Sequence, residues 1–201
     1  MAVRSVDSAD PANRDLHSVV RWRAHARKHP LRYRLAIVAP SAIDVIQHAG
    51  GWLFDRNTAG WEVTVLVADH TDVRPLRILG ATVLDMEQSL AGSAHPTWPD
   101  AVAIASETYR SDSRVREGVL DCLDRGLIEV AVWGDGLPSE LERRAAGHAR
   151  HRVSVAARAF KACALSAAGR PVGAVEPMEV FRVGQRPPRV HGREADLVPT
   201  I

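Results

Sequence analysis

Four short apolar runs constrain this chain more than any other feature: LAIVA (35–39), VTVLVA (63–68), AVAIA (101–105) and IEVAVW (128–133). Each is too short for a buried helix and too continuous for a strand with one wet face. They read as strands covered on both sides, which is the pattern of a parallel sheet. A fifth, shorter run, from Ala81 to Leu84, completes the set.

Between the runs the spacing turns helical. Ser41 with Asp44 three residues later forms a short capping box, and Ile43, Ile46, Gly50 and Leu53 follow at helical intervals up to Gly60. The Gly50-Gly51 pair inside that helix costs about 1 kcal/mol per glycine against alanine, and close packing on the sheet or on a neighbouring chain is expected to offset it. A second helix is predicted over about 112–125, and a third after Pro138, capped by Ser139 with Glu142. The expected fold class is α/β, a doubly wound and mostly parallel sheet of five or six strands, Rossmann-like or flavodoxin-like, with an extra N-terminal helix.

From His151 the reading splits: RVSVA (152–156) admits a sixth strand or the start of a helix running to Ala167. Val153, Ala157, Phe160 and Ala164 recur at helical spacing and favour the helix. The domain reading is a disordered N-terminus (1–14), one α/β domain (15–181) and a flexible Pro- and Arg-rich tail (182–201). Cys122 and Cys163 show no ligand or redox spacing and read as small apolar residues in a reducing compartment. No apolar stretch reaches the length of a membrane span. The expectation is a cytoplasmic protein.

In an open α/β sheet, ligands bind outside the carboxyl ends of the strands. That rule collects candidate catalytic residues Asp69, His70, Asp85 and Arg110: carboxylates and a histidine for acid–base work or metal binding, and a guanidinium for an anion. It also collects candidate ligand-binding residues Ser41, Ser106, Gly134, Asp135 and Gly136. The stretch WGDGLPS (133–139) resembles half of a phosphate loop, but Asp135 places a negative charge where an anion would sit. A tight turn describes it better. Asp85 and Ser106 resemble, in position, the phosphoacceptor and hydroxyl of receiver domains. The acidic pair after the first strand and the lysine after the fifth are missing, so phosphotransfer is not implied. No dinucleotide fingerprint, Walker loop or serine elbow is present, and no cofactor or metal is expected.

The basic residues compete with that rim for the function. Lys28 and Lys161 are the only lysines, and the remaining positive charge is arginine. A helix over 148–162 would align Arg150, His151, Ser154, Arg158 and Lys161 on one stripe, and Arg21 and Lys28 belong to a second basic run. These residues are the candidates for binding nucleic acid or an acidic protein partner. Self-association into a homo-oligomer is a further expectation. The main reading is therefore a non-enzymatic regulatory or interaction protein. The alternative is a small-molecule or nucleotide-binding enzyme that uses the strand-end residues.

Overall fold

The computed structural model describes residues 33–92, 99–125, 128–184 and 198–199. Five strands run parallel: β1 (Arg34–Ser41), β2 (Glu62–Asp69), β3 (Thr82–Asp85), β4 (Ala101–Ala105) and β5 (Glu129–Trp133). Three more follow: β6 (Ala145–Arg152), β7 (Met178–Gly184) and the two-residue β8 (Val198–Pro199). The order across the sheet is β3-β2-β1-β4-β5-β7-β6-β8. β7 lies antiparallel between β5 and β6, and β8 is antiparallel to β6.

This corrects the expected fold class. The chain is α/β, but its sheet is mixed, with a parallel core and an antiparallel end. It is not the mostly parallel Rossmann-like or flavodoxin-like sheet of five or six strands. Helical spacing misled the reading of 148–162. The residues up to Arg152 extend as β6, and only then does Ser154 cap a helix, its side chain accepting from Ala157 N. β7 also runs on to Gly184, past the start of the expected tail.

The helices are α1 (Ala42–Thr58), α2 (Arg74–Ile78), α3 (Met86–Ala91), α4 (Ser106–Ser111), α5 (Ser113–Arg125), α6 (Ser139–Arg144) and α7 (Val155–Ala167). Alternation along the strands divides the interior into two cores. On one face Leu35, Ile37, Val63, Val65, Ala101, Ala103, Ala131 and Phe181 meet α1 and its neighbours α2 and α7. On the other, Val102, Ile104, Val130 and Val132 meet Tyr109, Val115 and Val119 from α4 and α5. The residues of β4 that face α1 are all alanine, whereas its opposite face carries Val102 and Ile104. Of the two cysteines, Cys122 is buried as expected, and Cys163 is exposed.

Gly51 shows what offsets a glycine inside α1. A Cβ there would lie 2.4 Å from Val153 Cγ1 and 3.1 Å from Glu179 Oε1. At Gly50 the nearest atom would be the end of the Leu79 side chain, at 3.3 Å. Gly51→Ala is therefore expected to destabilise the chain by about 1–3 kcal/mol through overpacking, and Gly50→Ala by clearly less. Urea unfolding of the two variants checks this; equal stability would remove the packing argument.

Candidate active site at the carboxyl ends of β1, β4 and β5

Strand order reverses beside β1, whose neighbours β2 and β4 lead the chain in opposite directions across the sheet. The carboxyl ends of β1 and β4 therefore flank the crevice that such sheets offer to ligands. Ser41 ends β1 and caps α1: its hydroxyl oxygen accepts from Asp44 N at 3.3 Å. That turn sets the Asp44 carboxylate over the crevice, where two groups hold it. Trp133, at the end of β5, donates its indole Nε1–H to Asp44 Oδ2 at 2.9 Å, spanning 89 residues of sequence. From the next turn of α1, His48 places Nδ1 at 3.0 Å from the Asp44 carbonyl oxygen and 3.3 Å from Oδ1.

Both partners of Nδ1 are acceptors, so Nδ1 carries the proton and Nε2 is left as the free base. His48 is exposed, while Trp133 is buried at 3% exposure. The hydrogen bond from the Asp44 side chain raises the His48 pKa above its ordinary value. Partial burial opposes that, and the positive charge of Lys161 opposes it more weakly. The arrangement is a base oriented by a carboxylate that is itself oriented by a third group. Sequence reading took Asp44 for a helix cap only. The Asp-x-x-x-His spacing was a visible signal for the pair; nothing local announces Trp133.

The residues expected from sequence are distributed as follows. Asp69 lies opposite Ser41 in the β1–β2 register, but its Oδ1 accepts from both the backbone and the hydroxyl of Thr71, which lowers its pKa. His70 beside it is exposed. Asp85 ends the edge strand β3, two strands from β1 and so about 10 Å away, where it caps α3 through Gln88 N at 2.8 Å. Asp85 thus lies away from Asp44, and Asp69 is engaged by Thr71. Ser106 and Arg110 do meet the loop 134–136. Ser106 donates to the Asp135 carbonyl at 2.9 Å, and Arg110 Nη1 donates to the carbonyls of Asp135 and Gly136 at 3.2 and 3.1 Å. Gly134 and Gly136 have φ of 90° and 67°, and a Cβ would strike Ser106 Oγ at 2.8 Å and Arg110 Nη1 at 2.6 Å. Glycine is needed there to let the turn close against α4.

The basic stripe does not form. Arg150 and His151 are on β6, and His151 Nε2 meets Asp55 Oδ2 at 2.8 Å. Arg158 is half-buried on α7, and Lys161 is buried against Glu179 at 2.7 Å. Arg21 and Lys28 lie outside the described residues. Among the described residues no three His, Cys, Asp or Glu side chains are grouped to hold a metal ion.

No family model matches the chain, and no curated protein matches it in sequence. Its fold is similar to that of solved enzymes. The antimicrobial A40926 pseudoaglycone deacetylase Dbv21 is 15% identical with a TM-score of 0.53; the match covers 79% of this chain and 100% of that one. Teicoplanin deacetylase Orf2, in a form described as zinc-inhibited, is 12% identical at 0.52, over 76% of this chain and 98% of that one. A deacetylase–teicoplanin complex matches with the same figures. The regulatory, nucleic-acid-binding reading is thereby corrected: the chains that share this fold are enzymes, and the stripe on which that reading stood is divided between a strand and a buried ion pair.

The pairing of His48 with Asp44 has a consequence in pH. His48's pKa is raised on folding, so its protonated ring adds stability that is full below the unfolded value and fades as pH rises through the folded one. Asp44→Asn is expected to lower the His48 titration midpoint in proton–carbon NMR spectra. Its stability deficit against wild type is expected to be larger at about pH 6 than at about pH 9. An unchanged midpoint would show that the two side chains do not interact.

Proposed function

We propose that the chain is a small-molecule enzyme that adds water to an acyl carbon, a deacylase of N-acylated substrates, with His48 as general base. The observation that carries the proposal is the two-sided hold on Asp44, by Trp133 and His48, at the crevice where strand order reverses. The fold shared with deacetylases supports the choice of reaction class.

Each residue has a defined task in this reading. Asp44 fixes the ring so that Nδ1 holds its proton and Nε2 faces the crevice. Water gives a proton to Nε2 as its oxygen bonds to the acyl carbon. The Ser41 hydroxyl accepts from the Asp44 amide and so keeps its own proton for the developing oxyanion. The first turn of the 17-residue α1 adds its positive dipole end at the same place. The carbon–nitrogen bond then breaks, and His48 returns the proton to the departing amine. An acid and an amine leave, and the ring is neutral again.

A cytoplasmic setting belongs to the same reading, since neither cysteine is in a disulfide. No helix among the described residues is long and apolar enough to cross a membrane.

The test is acetate release from a panel of N-acetylated amino sugars and glycopeptides. Turnover is expected to fall about 10²–10⁴-fold in His48→Gln with little change in KM. In wild type, kcat/KM is expected to rise with pH through the raised His48 pKa and then level off, because the base must be unprotonated. Full activity in His48→Gln, or a profile flat across that range, would overturn the assignment.

A further inference from the structure

The turn of α1 that carries His48 is held at both ends by one buried ion pair. Lys161 Nζ, on α7, donates to the Gln47 carbonyl at 2.7 Å and to Glu179 Oε1 at 2.7 Å. Glu179, on β7, accepts from Gly51 N on Oε1 at 2.8 Å and from Trp52 N on Oε2 at 2.7 Å. Gln47 and Gly51 are the two ends of one helical step, and His48 stands between them. Lys161 and Glu179 are 5% and 4% exposed, and their side chains reach from elements far from α1 in sequence.

Burying two charges is costly. A well-packed apolar pair at such a place is often as stable or more so. What an apolar pair cannot do is address one carbonyl and two amides of a chosen turn. We infer that Lys161 and Glu179 are positioning residues for His48, clamping its turn of α1 so that the imidazole meets Asp44. The inference rests on His48 acting as the base. Asp44 on α1 and Lys161 on α7 are the charged groups that act on the ring, and Glu179 on β7 neutralises Lys161.

The experiment is the His48 titration by NMR in the full chain carrying Lys161→Met with Glu179→Gln. This double change leaves net charge unaltered, so a pair that acts only as a distant field leaves the midpoint where it was. Loss of Lys161 as a lone repelling cation would raise it. A clamp predicts a fall toward the ordinary histidine value, as the contact with Asp44 loosens. It also predicts a loss in kcat of about 10- to 100-fold with KM little changed. A midpoint unchanged or raised in a folded double variant overturns the inference.

If that variant does not fold, Lys161→Arg is read in the same way. It keeps the charge but widens the head group, so a lowered midpoint again reports displacement of the turn, and an unchanged one overturns the clamp. The midpoint needs no turnover. A failed deacylase assignment and a failed clamp are therefore separable: the first appears in the activity of His48→Gln, the second in the titration.

Discussion

Glu179 gives its two oxygens to the backbone amides of Gly51 and Trp52, and much of one face of the molecule depends on that contact. It joins the antiparallel end of the sheet to the first helix across more than 120 residues of chain. A carboxylate can approach a helix's backbone this closely only where no side chain stands in the way, and Gly51 provides the opening. Trp52, brought in beside it, packs its ring 5.1 Å from that of Phe181 on the same strand. Lys161 completes the group, so α7, α1 and β7 meet at one buried ion pair.

The same placement explains how the crevice acquires its residues. α1 begins over the sheet because Ser41 caps it at the end of β1, and the alanines of β4 leave room on that face. Trp133 is long enough to reach from β5 past Ala105, its register partner on β4, to Asp44. Asp44 and His48, one turn apart on a capped helix, thus meet an indole 89 residues away in sequence. By contrast, Asp69 and Asp85 are each satisfied by their own neighbours within three residues. Their polarity belongs to local turn and cap formation.

The parallel core was legible in the sequence because its cause is local: continuous apolar runs of strand length between capped, periodic segments. LAIVA, VTVLVA and AVAIA appear as β1, β2 and β4 within two residues at each end. β6 was not legible, because it reads AAGHARHR, with no apolar run, and becomes a strand only through its pairing with β7, part of which VEPMEVF (175–181) offers as an edge strand. Lys161 was misread for a related reason. An amphipathic stripe assigns every charge to water, and only Glu179, in the stretch VEPMEVF (175–181) that reads as an edge strand, could bring this one inside. The strand-end rule points to a rim at the carboxyl ends of the strands. It could not choose among carboxylates on that rim, because the choice depends on Trp133, a contact that no spacing encodes.

Likeness to deacetylases at 12–15% identity fixes the scaffold and leaves the chemistry to the side chains. In this chain the end of β1 and the first two turns of α1 carry a hydroxyl, a carboxylate and a histidine paired with it through Nδ1. Such a set can activate water and receive negative charge. Lys161 is committed to Glu179, and Cys122 is buried in the core on the opposite face. On the proposed reading, direct attack by water is the chemistry this set performs. The raised pKa of His48 suits that role, because a more basic nitrogen takes a proton from water more readily once it is itself unprotonated. The buried pair behind the helix and the indole beside it then share one function, to keep a single imidazole from turning away from its carboxylate.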